Sequence, residues 1–503
     1  MKKKKVTTVI QLLVEQGLKG NLIEFEDEVY VRNQILHLLQ LKDFQKEDLP
    51  TDSSEANIPD LVVDLVDYAV AEGLISNLLD EKEILMSSIM NCFMSKPSEI
   101  NHKFYRMFND DPRTATDYFY TLSKNSNYIQ MKRINKNIEY KAETQYGKLD
   151  ITINLSKPEK DPKEIQLEKE LKQDANYPAC LLCMENEGYA GRIGHPARSN
   201  HRMIRVALNE EGWLLQYSPY VYYNEHCILL SEEHRDMRIQ EKTFATLLAF
   251  VEKFPHYFIG SNADLPIVGG SILSHDHYQG GRYDFAMAKA EEEFKFQLSA
   301  YPNIDCSTVK WPMSVIRLRG DNKGELVQAA SYILEQWKGY SDETVDIIAF
   351  TKNTPHNTIT PIVRKKGEQF EVDLVLRNNR TTERHPSGIF HPHADVQHIK
   401  KENIGLIEVM GLAVLPKRLE EELEEVEQYI LESGTTVKDY HLSWANELKE
   451  EYTYLANSRD IKEYLREKVG QKFLRVLEDA GVFKRDNIGQ NAFRLFTDSL
   501  NGS

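Results

Sequence analysis

Cysteine is scarce: the chain holds five in 503 residues, and only Cys180 and Cys183 form a close pair, with Cys92, Cys227 and Cys306 apart. So sparse a set excludes a disulfide scaffold and points to a reducing compartment, the cytoplasm by default. Long apolar runs are missing too, because no stretch approaches the roughly 18 uninterrupted apolar residues that a membrane helix needs. Positive charge is in deficit, with 62 Lys and Arg against 78 Asp and Glu and a formal net charge of -16. That balance opposes loose binding to nucleic acid or to an anionic membrane, so any anionic substrate must meet a local basic pocket. Internal repeats and low-complexity tracts are absent. The opening MKKKKVTTVIQLLVEQGLKG is basic at its start but lacks a small-residue cleavage site, and its Gln, Glu and Lys make it an amphipathic helix.

What is present is enough apolar residue, 41%, to build two to four domains in a chain of this length. Up to about Asn135 the apolar residues (Val29, Ile35, Leu36, Leu39, then Leu61, Val62, Leu65, Val66, Ala69) recur at three- and four-residue spacing, which predicts helices. This third contains no chemistry beyond His37 and His102, which read as surface or packing residues. Near Lys148 the period shortens to two in LDITINL, as in a half-buried strand. Similar strand patterns follow at RMIRVALN, GWLLQYSPYVYY, HCILLS, DIIAFTK and FEVDLVLRN, with a helix between them at Thr243 to Phe254. The mixture predicts an α+β fold with antiparallel sheets. From about Pro416 the pattern is helical again, and LEEELEEVE stops too soon for a coiled coil. The expected boundaries are a helical region over 1–144, two α+β halves over 145–300 and 301–415, and a helical extension over 416–503.

Thirteen of the fifteen histidines lie at or beyond His195. The densest group is GGSILSHDHYQGG at 269–281, where a strand would turn His275, His277 and Gln279 to one face and the flanking glycines allow close approach of a ligand or backbone. A neutral imidazole attacks phosphorus without a separate base and yields a phosphoramidate able to pass its group on. A glutamine amide two residues away can donate to the phosphoryl oxygens as charge builds there. The plain alternative is a row of polar residues at a sheet edge. Cys180 and Cys183 have the spacing of a zinc knuckle, or of two buried thiols beside a turn; no second C-x-x-C completes a site. For anionic ligands Lys157 and Lys160 in NLSKPEKDPK, and Arg192, Arg198 and Arg202 in AGRIGHPARSNHR, offer positive charge, with surface solvation as the alternative for each.

The strings NYPACLLCMENEGYAGR, HPARSNHR, SNADLPIVGGSILSHDHYQGGRYDF and HPHADVQHIKKENIGLIEVMG resemble the galactose-1-phosphate uridylyltransferases, in particular the type 2 bacterial branch of UDP-glucose–hexose-1-phosphate uridylyltransferases. The resemblance runs from about Gly20 to near the C-terminus. It implies two histidine-triad-like halves and a step of galactose metabolism, in which a uridylyl group passes from UDP-glucose to galactose-1-phosphate through His277, with Gln279 holding the phosphoryl group. It further implies UDP contacts at Asn224 and Asn262, and zinc ligands at His234 and His275 beside Cys180 and Cys183. A weaker second metal would use His356, His391, His393 and a carboxylate from Glu291 to Glu293. No organic cofactor is expected, and a homodimer is an assembly the sequence allows. In the better-studied branch proline separates the two histidines, whereas Asp276 stands there here. HPHADVQ at 391–397 carries the His-Pro-His triplet but has Asp395 where glutamine is needed, so the nucleophile is placed at His277. Two competing readings are a related transferase or phosphorylase for another nucleotide and a zinc-stabilised binding protein without activity.

Overall fold

The computed structural model of the chain describes residues 5–47, 56–156, 176–270, 272–431, 436–454 and 459–501. They form two compact units: residues 1–136, 156–221 and 225–234 make the first, and 137–155, 222–224 and 235–503 the second. Among the described residues no helix is long and apolar enough to cross a membrane.

The first unit opens with the predicted helices, Val6–Lys19, Glu28–Leu38, Ile58–Ala71, Leu79–Asn91, Pro97–Asp110 and Pro112–Asn125. Their starts are set locally. The Asn57 side chain accepts from Asp60 N and that of Asp111 from Arg113 N, in each case with proline in the first turn, where its missing N–H costs nothing. The apolar stripes close a core in which Ile10, Leu13, Ile35, Val62, Leu65 and Ile89 are fully buried. An antiparallel meander follows, Ile204–Leu208, Glu211–Tyr217 and Cys227–Ser231. Its first turn has positive φ at both Asn209 and Glu210, the twist that suits a two-residue hairpin.

The second unit holds a seven-stranded antiparallel sheet in the order His277–Gly281, Phe258–Gly260, Asn357–Lys366, Gln369–Asn378, Val315–Gly320, Asp305–Val309, Glu292–Phe296. A second sheet pairs Ile138–Thr144 with Gly147–Ile153, and then, in parallel, with Leu412–Leu415. The long helix Ile461–Ala480, in the C-terminal region, packs on this small sheet, and Leu149, Ile151, Leu412, Val469 and Phe473 share one core. DIIAFTK is not the strand its apolar run suggests. Asp346 takes a left-handed conformation that ends a short 3-10 turn, the buried Ile347 makes an isolated bridge with Asp342, and Phe350–Thr351 pairs with Thr354–Pro355.

Candidate active site

In the second unit the strand His277–Gly281 pairs with Phe258–Gly260, placing Gln279 opposite Gly260. Residues directly opposite share a face, and so do residues two apart. His277 and Gln279 therefore look the same way. The register then carries one row across the sheet from Gln279 through Gly260, Ile362 and Asp373 to Arg317, and the next from Gly281 through Phe258, Arg364 and Glu371 to Arg319. On that shared face the far strands hold a buried ionic ladder. Arg317 bonds Asp373 through Nε at 2.7 Å and Nη2 at 2.9 Å, while Arg319 and Arg364 each meet Glu371 at 2.7 Å. Arg364 also bonds Asp373. Burial alone would raise the Asp373 carboxyl, but Arg317 and Arg364 hold it down at about 2.

His275 lies in the bend just before the strand and is wholly buried. Its carbonyl oxygen sits 2.7 Å from His277 Nδ1. A carbonyl only accepts, so Nδ1 carries the proton and the lone pair is on Nε2. Burial pushes His277 down to about 4 despite that hydrogen bond. Asp276 is raised by burial and takes a 3.2 Å bond from Arg235 Nε, while its backbone N–H donates to Arg235 O at 2.7 Å. The charge that replaces the proline of the better-studied branch is thus spent on Arg235.

Asn262 is buried in the loop ahead of this strand, and its Oδ1 accepts from Leu406 N at 2.8 Å, so its remaining polar group is a donor. The Gly269–Gly270 pair is required by this loop. A Cβ at Gly269 would lie 2.4 Å from Ala263 O, and one at Gly270 would lie 2.7 Å from Asn262 Nδ2. The close approach is therefore to backbone and to Asn262. Asn224 is exposed beside the end of the strand, donating to Arg282 O at 3.4 Å, and its neighbour Tyr223 donates to Gly280 O at 3.1 Å. Lys157 and Lys160 lie outside the described residues.

In the first unit Cys180, Cys183 and His234 offer ligand atoms within 4.8 Å of one another. Cys183 Sγ is 3.0 Å from His234 Nδ1 and 3.4 Å from Cys180 Sγ, and Leu182 N donates to Cys180 Sγ at 3.3 Å. Burial raises the Cys183 thiol to about 12. Two thiols, an imidazole and an N–H aimed at sulfur fit a zinc ion. Sequence reasoning missed the residue that shapes this turn. Asn186 donates to both Cys180 O, at 2.8 Å, and Cys183 O, at 2.9 Å, and its own oxygen meets His195 Nε2 at 2.8 Å. No spacing rule marks an asparagine three residues after Cys183 as a partner of the turn. Of the arginines, Arg202 is a packing group, bonded to Ser95 O, Ser199 O, His201 O and Asn91 Oδ1. Arg198 lies over the Tyr128 ring and lines a cleft of about 340 Å³ with Tyr220, Arg133 and Leu181, the residue after Cys180.

The second metal set is not assembled among the described residues. Both ring nitrogens of His356 are taken, by Asn379 and Thr351 at 2.8 Å each. His393 Nε2 meets Ile389 O at 3.0 Å, and Glu292 and Glu293 pair with Arg319 and Arg485. These groups are spent on neighbours, which is why they do not converge on an ion.

Known proteins place this geometry in a family. The model for "Galactose-1-phosphate uridyl transferase, N-terminal domain" matches residues 21–236, and that for the C-terminal domain of the same family matches residues 250–446. A galactose-1-phosphate uridylyltransferase of Clostridium perfringens is 52% identical over 500 residues, 99% of each chain. Others from Fusobacterium nucleatum and Streptococcus pneumoniae are 50% identical, covering 99% and 98% of this chain and 99% of their own lengths. With both halves matched and the identity spread over its whole length, this chain belongs to the galactose-1-phosphate uridylyltransferase family.

Proposed function

We propose that the chain moves a uridylyl group from UDP-glucose to galactose-1-phosphate in two displacements at His277. The carrying observation is the hydrogen bond from His277 Nδ1 to His275 O, which commits the ring proton and orients Nε2 as the attacking atom. Nε2 forms a bond to the α-phosphorus as the bond to glucose-1-phosphate breaks. That product leaves as a phosphate anion and needs no proton. Nδ1 keeps its proton, and the His275 carbonyl faces the positive charge that the ring acquires. An oxygen of galactose-1-phosphate then attacks the same phosphorus and the P–N bond breaks, giving UDP-galactose and the original ring. The Gln279 amide, on the face of His277, donates to the non-bridging oxygens in both steps. Asn262 and Asn224 hold the UDP portion, with Lys157 and Lys160 for its diphosphate.

Zinc would be held by Cys180, Cys183 and His234, with His275 as fourth ligand. Bound there, it would fix the segment leading into the nucleophile strand and take no part in either displacement.

The test is intact mass spectrometry after incubation with UDP-glucose alone. The expected result is a gain of one acid-labile uridylyl group with equimolar glucose-1-phosphate, and parallel double-reciprocal lines in steady state. Turnover with no adduct and intersecting lines would establish direct transfer instead.

A further inference from the structure

The peptide that joins His275 to Asp276 is held at both ends. Its carbonyl accepts from His277 Nδ1 at 2.7 Å, and its N–H, borne by Asp276, donates to Arg235 O at 2.7 Å. The bond is trans, so the two groups point in opposite directions and one flat unit lies between the Arg235 carbonyl and the nucleophile ring. Arg235 grips the same residue a second time, because its Nε donates to the Asp276 carboxylate at 3.2 Å. Two residues on, Met237 N donates to Leu273 O at 2.8 Å and continues the pairing of the two segments. The Tyr278 hydroxyl adds a third hold by donating to the Asp276 carboxylate. Asp276 and Tyr278, both buried, thus share the side of the chain opposite His277 and Gln279. The cluster around the carboxylate stands behind the reacting face.

We propose that Arg235 is a positioning residue for the nucleophile, acting through Asp276 and the peptide between residues 275 and 276. Hydrogen bonds in a chain polarise one another, so the bond to Arg235 O at the N–H end makes His275 O a stronger acceptor at the other end. When Nε2 bonds phosphorus and the ring gains positive charge, that oxygen is the group facing it. The side chains serve the same end. The pair of Arg235 Nε with the Asp276 carboxylate keeps the two segments in register, and with them the short bond between the Arg235 carbonyl and the peptide. The inference rests on His277 as the nucleophile.

Single-turnover uridylylation of the full chain by UDP-glucose, followed in time by intact mass spectrometry, tests it. Asp276→Ala should form the adduct about tenfold more slowly, the scale of one charge-assisted hydrogen bond, and Arg235→Ala should match it. The double variant should be no slower than either single one, because the two side chains act as one unit. Asp276→Asn keeps an acceptor for Arg235 Nε and should recover most of the rate. No contact to substrate is removed, so the half-saturating UDP-glucose concentration should stay within about twofold of wild type. Arg235 is partly exposed, and its variant reads the effect even if Asp276→Ala fails to fold. Arg235→Ala at the wild-type rate, additive losses in the double variant, or a half-saturating concentration that rises with the loss of rate overturns the proposal. Wild-type protein that turns over without an adduct removes His277 as nucleophile and this role of Arg235 with it. A normal wild-type adduct, formed equally fast in every variant, removes the role of Arg235 alone.

Discussion

The ring of His277 is bound to the backbone of His275, two residues earlier, by a 2.7 Å hydrogen bond from Nδ1 to a carbonyl oxygen. The chain reverses just enough in the bend before the strand for one histidine to fix the tautomer of the next. A nucleophile oriented by main chain needs no carboxylate partner, and Asp276, the nearest one in sequence, is turned to Arg235.

His277→Ala should therefore remove both the uridylyl adduct and turnover, the latter by at least about a thousandfold, because it deletes the reacting atom. Gln279→Ala should still form the adduct, but about a hundredfold more slowly, as for loss of one donor to a developing charge. Single-turnover mass spectrometry reads both. An adduct of normal yield in folded His277→Ala protein would move the nucleophile elsewhere.

For the knuckle, Cys180→Ser should lower zinc content from about one equivalent per chain and reduce the melting temperature together. Elemental analysis and thermal melts on the same samples check this. Wild-type protein with full activity and little zinc would remove the metal while leaving the transfer chemistry in place.

Acid sensitivity should trace in part to His201. Its ring stacks on Tyr128 at 4.3 Å and its Nε2 donates to Gln216 Oε1 at 2.7 Å, while the buried Nδ1 has no partner among the described residues. Burial, aided by Arg198, lowers it from 6.5 to about 3. Above pH 6.5 neither the folded nor the unfolded state carries this proton, so the group adds no pH dependence. Below it the unfolded chain binds the proton and the folded chain does not, and stability falls until about pH 3, by roughly 3 kcal/mol near pH 4. His201→Gln should be less stable near neutrality yet show a shallower loss on acidification. Urea midpoints at about pH 7 and about pH 4 decide it, and parallel losses in the two proteins would acquit His201.

Much of this was legible in the sequence, for identifiable reasons. Period-two alternation gave Gly147–Ile153 and Gln369–Asn378, and period 3.6 gave the helices at both ends, because each pattern reports one buried face. The strand Ile138–Thr144 escaped notice although Ile138, Tyr140 and Ala142 alternate, since its other face is charged and it follows directly on a helix. The ladder of Arg317, Arg364, Glu371 and Asp373 was invisible, because alternating charge in a strand reads as a solvated face and only the register shows that the charges satisfy one another inside. The Cys180–Cys183 spacing announced itself, but Asn186, which holds the turn through two backbone carbonyls, did not. A lone asparagine carries no signal of its partners.

The two histidine triplets remain to be separated by experiment, and the geometry of His393 gives the terms. Its Nε2 is 3.0 Å from Ile389 O, its Nδ1 is 3.4 Å from Asp479 Oδ1, and its backbone N–H donates to Asp479 Oδ2 at 3.1 Å. Both ring nitrogens are thus committed, and the residue ties the 389–393 loop to the buried Asp479 of the C-terminal helix. Its ring is held between a carbonyl and a carboxylate, neither side turned to a phosphoryl group, whereas His277 keeps Nε2 for one. His393→Ala should cost about 1–3 kcal/mol of stability, the scale of leaving a buried acceptor short of a donor. It should still yield the uridylyl adduct with UDP-glucose. His277→Ala should show the converse, a folded protein without adduct. Loss of the adduct in folded His393→Ala protein, with the adduct persisting in His277→Ala, would transfer the nucleophile to the second triplet and leave the enzyme class unchanged.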